Sequence, residues 1–294
     1  MSYGKVAVFG GGLIGGSLGL ELCGRKIARE VCFWGRDPEK LGAALSAGAC
    51  TLHTTDLKEG AVGSEIIVLA TPPAVILELM ERLLPALEEG MLVIDVGSVK
   101  KDIIRKSDEL GFEKYGAEFV GCHPMAGSEK TGVQNARPGL FENAPCVITP
   151  SPRNTQGMLE KAGAFWSTLG ARIMRLDPEK HDFAVGVLSH LPHAVSSALL
   201  LSAFSALEDN ATVSELSGTG FRDMTRIAGA SASLWADIYL SNRDNLIAAL
   251  DAFESSLKGF REAVLSGERE RVEKFLENPA ALKKGLEETP GMKG

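Results

Sequence analysis

The chain has 294 residues, 45% of them hydrophobic, and a formal net charge of −7. That length and apolar content support a large core and suggest two domains. The acidic balance argues against nucleic-acid binding, which draws its affinity from Lys and Arg on phosphates, but it leaves room for an anionic small substrate in a locally basic pocket. Cys23, Cys32, Cys50, Cys122 and Cys146 are odd in number, scattered and without a CxxC pair, so they read as reduced thiols and not as a disulfide framework or zinc site. No charged start followed by an apolar stretch and a cleavage site opens the chain, and no apolar run reads as long enough to span a membrane. The expectation is a cytoplasmic protein with no membrane or nucleic-acid partner.

In chain order, residues 5–9 (KVAVF) read as a strand and 13–22 as a helix. Residues 31–34 give a second strand and 38–47 a second helix. The runs 65–70 (EIIVLA) and 91–96 (MLVIDV) are apolar on both faces, which suits a buried parallel sheet. Residues 117–120, 146–149 and 172–175 read as further strands. Strand–helix alternation implies βαβ units with right-handed crossovers, so residues 1–176 are expected to form a doubly wound Rossmann domain in an α/β fold. Residues 177–294 read as an all-α-helical C-terminal domain. Within it, 184–204 is rich in Ala, Leu and Val with almost no charge in its middle, and such a helix must be buried between helices or at a subunit interface. The apolar helices exceed what one small helical layer can bury, so a homodimer is expected. Residues 235–266 continue with helical spacing, and the polar tail 267–294 is expected to fray.

Gly10, Gly12 and Gly15 form a GxGxxG pattern with Leu13 and Ile14 inside it, directly after the first strand and opening the first helix. Gly10 permits a tight turn, Gly12 lets the backbone approach a pyrophosphate, and Gly15 allows close helix–strand packing. The helix N-terminus adds amide donors and a favourable dipole. Thr71, just after the third strand, is placed with the cofactor contacts. NAD-preferring folds usually end the second strand on Asp or Glu, for the ribose hydroxyls. Here Gly35 holds that position and Arg36 follows, with Lys40 one turn on. Loss of a carboxylate and gain of a guanidinium favour a 2′-phosphate, hence NADP over NAD. The alternative is that Arg36 is a solvated charge and Asp37 takes the ribose.

Three clusters and a fourth segment remain. They are Asp95-Val96-Gly97-Ser98-Val99-Lys100; Gly121-Cys122-His123-Pro124-Met125-Ala126-Gly127-Ser128-Glu129; His181-Asp182 followed by Ser189-His190-Leu191-Pro192-His193; and Gly220 to Ala228, which contains Arg226. In this order they closely resemble the prephenate/arogenate dehydrogenase family, from the glycine loop to about Trp235, in the form of its catalytic core without a regulatory or mutase domain. The resemblance implies NAD(P)-dependent oxidative decarboxylation of prephenate, arogenate or both in tyrosine biosynthesis. It implies that His123 accepts or polarises the proton of the ring hydroxyl, a task that suits an imidazole whose ordinary pKa lies near neutrality. Ser98 would orient that histidine, although a plain helix N-cap also explains a Ser there. Arg226 would hold a substrate carboxylate with its bidentate fork, the bland alternative being an ion pair with Asp223. His193, Ser128 and Glu129 would meet the substrate. His190 reads as structural, His181 and Glu129 as residues of the cleft mouth, and Trp235 as either an active-site aromatic or core. The His190–His193 pair lacks a third ligand, so no metal is expected. The competing readings are a β-hydroxyacid-type dehydrogenase of similar architecture, which would use a helical-domain Lys, and a non-catalytic nicotinamide-binding sensor.

Overall fold

The computed structural model describes residues 2–127, 132–207 and 210–288. Its elements are β1 (Tyr3–Phe9), α1 (Leu13–Gly24), β2 (Ala28–Trp34), α2 (Pro38–Ser46), β3 (Leu52–Thr54), α3 (Leu57–Ala61), β4 (Ile66–Leu69), α4 (Pro73–Leu83), β5 (Leu92–Asp95), α5 (Lys101–Leu110), β6 (Glu118–Pro124), β7 (Pro145–Thr149), α6 (Gln156–Thr168) and β8 (Arg172–Arg175). Helices follow: α7 (Pro178–Val185), α8 (Leu191–Leu207), α9 (Asn210–Leu216), α10 (Thr219–Thr225), α11 (Ala232–Ser241), α12 (Arg243–Leu265) and α13 (Arg269–Glu288). By contact density the chain divides into two compact units, Met1–Arg243 and Asp244–Gly294.

The strands form one sheet of order β3-β2-β1-β4-β5-β6-β7-β8, parallel except where β7 runs against β6. Alternate side chains feed two cores, as the period of two along a strand requires. Val6, Val8, Ile66, Val68, Leu92 and Ile94 face one core with Leu18 and Leu22 of α1 and Phe165 and Trp166 of α6. Ala7, Phe9, Ile67, Leu69 and Val93 face the other, beneath α4 and α5. In α4, Ile76, Leu79, Met80 and Leu83 follow i, i+3, i+4, i+7 spacing and are all buried, and Pro73 sits in its first turn, where a missing N–H costs nothing. Each such side chain contributes about 1.5–3 kcal/mol by leaving water. The doubly wound sheet therefore has both faces covered, with its parallel strands all ending on one edge.

The sequence reading missed β3, a three-residue strand held by pairing of Leu52 to Thr54 with β2. Two expectations from the helical half fail. The tail does not fray over 269–288: α13 is a helix supported by the i,i+4 pairs Arg269–Glu273 at 2.7 Å and Lys283–Glu287 at 3.2 Å. Phe275 of α13 meets Phe260 of α12 with ring centroids 5.2 Å apart. The second concerns the apolar run. From Pro178 to Leu207 the chain is one helical run of 30 residues with a window of mean hydropathy 1.5, so one helix does reach spanning length by length and composition. It was underestimated because helix continues through His181, Asp182 and a π turn at Gly186–His190, where a composition-based reading breaks off. Ser196 is the one fully buried residue of α8, Val195, Leu199 and Leu200 are half-buried, and Leu201 is 72% exposed, so part of the apolar surface of this helix remains open.

Candidate active site

The parallel strands deliver their carboxyl ends to one cleft of about 720 Å³, within the size range of small-molecule sites. β1 ends in the glycine turn. Gly10 has φ +118°, and a Cβ there would lie 2.3 Å from the Ala70 carbonyl oxygen; a Cβ on Gly15 would lie 1.9 Å from the Gly10 carbonyl oxygen. Both positions therefore admit glycine alone. Gly12 faces open space and is the N-cap of α1, whose first turn has neither a side-chain cap nor an acidic residue. Its amides and dipole are thus left for an anion. Thr71 also lines the cleft, and its hydroxyl is buried with no hydrogen-bond partner among the described residues. An orphaned hydroxyl beside an uncapped glycine turn fits a dinucleotide.

β5 ends at Asp95, and the loop after it carries Ser98 into the cleft. A fully buried ion pair holds this loop. Lys100 Nζ donates to Asp95 and to the Val99 carbonyl at 2.9 Å. Asp95 also accepts from the Gly97 amide at 2.8 Å and the Cys122 amide at 3.0 Å, which locks the end of β5 to β6. Removing one partner strands a buried charge. Lys100→Met is expected to lower unfolding free energy by about 3–5 kcal/mol in urea titration; a loss below about 1 kcal/mol would contradict this reading of the pair.

His123 sits near the end of β6, opposite Val147 of β7, and lines the cleft. Its Nδ1 lies 2.9 Å from His181 Nε2. His181 Nδ1 lies 2.7 Å from Asp182 Oδ1. Burial, then the neighbouring His181, Lys100 and His190, hold the His123 pKa well below its ordinary value, so the ring is a neutral base near pH 7. His193 stacks on Trp235 with ring centroids 3.6 Å apart, and both line the cleft with Arg226. Burial depresses His193 as well, against a bond with the Ile227 backbone. His190 is buried behind them, hydrogen-bonded to Asn242 at 3.1 Å, and burial lowers its pKa to about 4.

The structure thus brings Gly12, Leu13, Ile14, Thr71, Ser98, His123, His193 and Arg226 to one cleft. Gly10 and Gly15 shape the turn behind it, and Gly35 and Arg36 lie at the end of β2 outside its lining. Ser128 and Glu129 lie outside the described residues. Two expectations are corrected. His181 is 1% exposed and does not stand at a cleft mouth. Ser98 is not the N-cap of α5: that position is Lys100, and Asp182 accepts from the Lys100 and Lys101 amides at 2.7 and 2.9 Å, from 82 and 81 residues away. Sequence reasoning also passed over Ser189 and Asp237, both on the lining. Ser189 stood in a quoted motif, and Asp237 was readable as a carboxylate two residues after Trp235.

A Rossmann sheet with a strict glycine turn and a buried histidine at its strand ends is the arrangement of a dinucleotide-binding enzyme. The class narrows through its relatives. Family models described as the nucleotide-binding domain and the dimerization domain of prephenate dehydrogenase match residues 19–175 and 177–278, and the chain belongs to the prephenate dehydrogenase family. It is 31% identical to the prephenate dehydrogenase of Lactococcus lactis subsp. cremoris, over 96% of this chain and 77% of that one. Among solved structures it resembles Aquifex aeolicus prephenate dehydrogenase in complex with hydroxyphenyl propionate and NAD+, with a TM-score of 0.87 and 28% identity over 97% of this chain and 99% of that one. Synechocystis arogenate dehydrogenase follows at TM-score 0.78 and 28% identity, over 96% and 99%.

Proposed function

We propose that the protein catalyses NAD(P)-dependent oxidative decarboxylation of prephenate, arogenate or both, as a step of tyrosine biosynthesis. The observation that carries this reading is the convergence of His123, Ser98 and Arg226 on the cleft that the glycine turn opens into. Bound nicotinamide supplies a hydride acceptor. The hydride leaves the ring carbon bearing the hydroxyl, the C–C bond to the ring carboxylate breaks, and its electron pair completes the aromatic ring as carbon dioxide departs. His123 Nε2 accepts the hydroxyl proton as positive charge builds on that carbon and returns it to the phenolic oxygen, so no net proton is lost. Ser98 orients His123 beside the substrate hydroxyl, Arg226 holds a carboxylate, and His193, stiffened by its stack on Trp235, meets the substrate side chain. Ser128 and Glu129 are proposed as further substrate contacts. The domain boundary is proposed at 176/177, and the open apolar surface of α8 is proposed to meet a second copy in a cytoplasmic homodimer.

NADP is the proposed preferred cofactor. Asp37 Oδ1 is committed to capping α2, accepting from the Glu39 and Lys40 amides at 3.1 and 3.3 Å, and its Oδ2 pairs with Lys40. Its bonds with Lys40 come first among the causes that hold its carboxyl below the ordinary range. That leaves exposed Arg36 to meet a 2′-phosphate. Initial rates with each substrate paired with NADP and NAD test both levels of the reading. Arg36→Ala is expected to lower kcat/KM for NADP roughly ten- to a hundredfold, the worth of about 1.5–3 kcal/mol for a bond to a charged group, and to leave NAD nearly unchanged. Equal effects on both cofactors would contradict the role of Arg36, and no turnover with any pair would contradict the function.

A further inference from the structure

Asp182 is 2% exposed and surrounded by donors. Its Oδ1 accepts from the Lys100 amide, its Oδ2 from the Lys101 amide, and the Asn242 side chain donates to its backbone carbonyl at 2.7 Å. A carboxylate only accepts hydrogen bonds, so the His181 Nδ1 that lies 2.7 Å from Oδ1 must carry its proton. With that proton on Nδ1 and no second one on the ring, His181 has a lone pair on Nε2, the atom that faces His123 Nδ1 at 2.9 Å. Two lone pairs cannot bond, so this arrangement places the His123 proton on Nδ1, whereas a doubly protonated His181 would donate to Nδ1 and place it on Nε2. With the His123 proton on Nδ1, the nitrogen left bare is Nε2, on the opposite side of the ring from His181.

We propose that Asp182 and His181 are positioning residues for the proposed reaction, a relay that fixes His123 in the Nδ1–H tautomer so that its Nε2 lone pair is presented to the substrate hydroxyl. This deepens the proposed function and rests on it. Neutral imidazole has two tautomers, and the one with a proton on Nε2 accepts nothing from a hydroxyl. Elsewhere the tautomer of a catalytic histidine is set by the partner of its other nitrogen, and a wrong tautomer abolishes most of the rate. Here the partner is a second histidine, itself fixed by a carboxylate that caps a helix. When Nε2 takes the hydroxyl proton, His123 becomes an imidazolium whose Nδ1–H bond to His181 shortens, with Asp182 behind to balance the charge. The same proton returns to the phenolic oxygen of the product, and His181 and Asp182 end as they began. The relay is rigid because it joins α7, the end of β6 and the start of α5, all inside the first compact unit.

The test uses the full chain labelled with 15N-histidine. Long-range 1H–15N correlation reads each imidazole tautomer, and His123→Asn assigns the His123 signals. His123 is expected to be protonated at Nδ1 in the wild type. His181→Asn keeps a donor towards Asp182 but removes the acceptor facing His123. It is expected to lower kcat roughly a hundredfold, leave nucleotide affinity unchanged and move the His123 proton to Nε2. His181→Gln restores an acceptor near the old Nε2 and is expected to recover kcat to within about tenfold of wild type. A wild-type His123 protonated at Nε2 overturns the relay, as does an equal loss in both variants with Nδ1–H retained. If neither variant folds, the wild-type tautomer alone decides. Turnover together with an Nε2–H tautomer sinks the relay alone, whereas an Nδ1–H tautomer without turnover sinks the function.

Discussion

His123→Asn is expected to lower kcat by about 10²–10⁴-fold while nucleotide binding, followed by fluorescence titration, stays at the wild-type level. The separation follows from geometry. His123 lines the cleft at the end of β6, whereas the glycine turn and Thr71 belong to β1 and β4. Asn keeps a polar group in place but cannot accept a proton near neutrality. The pH profile carries the same signature. Burial, reinforced by His181, Lys100 and His190, holds the His123 pKa well below 6.5. A base with a lowered pKa remains active above it and fails only as pH falls through it, so the acid limb of kcat/KM is expected to lie below pH 6.5. A limb above pH 7, or a His123→Asn variant with unimpaired turnover, would remove His123 from the chemistry. A nicotinamide-binding sensor would show the second outcome.

Arg226→Gln is expected to lower kcat/KM by about 30- to several-thousand-fold, corresponding to about 2–5 kcal/mol for truncating one partner of a charge-assisted pair. Arg226 stands at the start of the 3-10 turn Arg226–Gly229, directly after α10, on the same cleft as His193. A carboxylate bound equally in ground and transition states would put the loss in KM, and one held more tightly as the ring carboxylate departs would put it in kcat. Arg226→Lys is expected to recover only part, because a point charge cannot reproduce the bidentate fork. An unchanged kcat/KM would show that the substrate carboxylates are held elsewhere.

The sheet was legible because its central strands are apolar on both faces, a pattern that few other structures produce. β3 was not, because three residues of Leu-His-Thr acquire strand geometry only from the β2 edge they pair with. The helix over 269–288 was misread because a charged tail and a charged helix share a composition, and only the i,i+4 spacing of Arg269 with Glu273 and Lys283 with Glu287 separates them. At the site, the glycine turn, Ser98, His123, His193 and Arg226 stand in recognisable local motifs, and the structure places the turn and all four side chains at one cleft. The supporting layer was hidden. Nothing near Lys100 announces that a lysine will be fully buried against Asp95, or that α5 will be capped by a carboxylate 82 residues later in the chain. Those are long-range complementarities, and a local pattern holds one half of each.

The central claim is that the cleft couples hydride transfer to loss of a carboxylate, and stoichiometry tests it most directly. With saturating prephenate or arogenate and limiting NADP, reduced nicotinamide is followed by absorbance and released carbon dioxide by mass spectrometry of a 13C-carboxyl substrate. One carbon dioxide per reduced nicotinamide, lost in parallel when His123 is replaced by Asn, is the predicted result. Nicotinamide reduction without carbon dioxide would contradict it and mark the protein as a simple alcohol dehydrogenase of similar architecture.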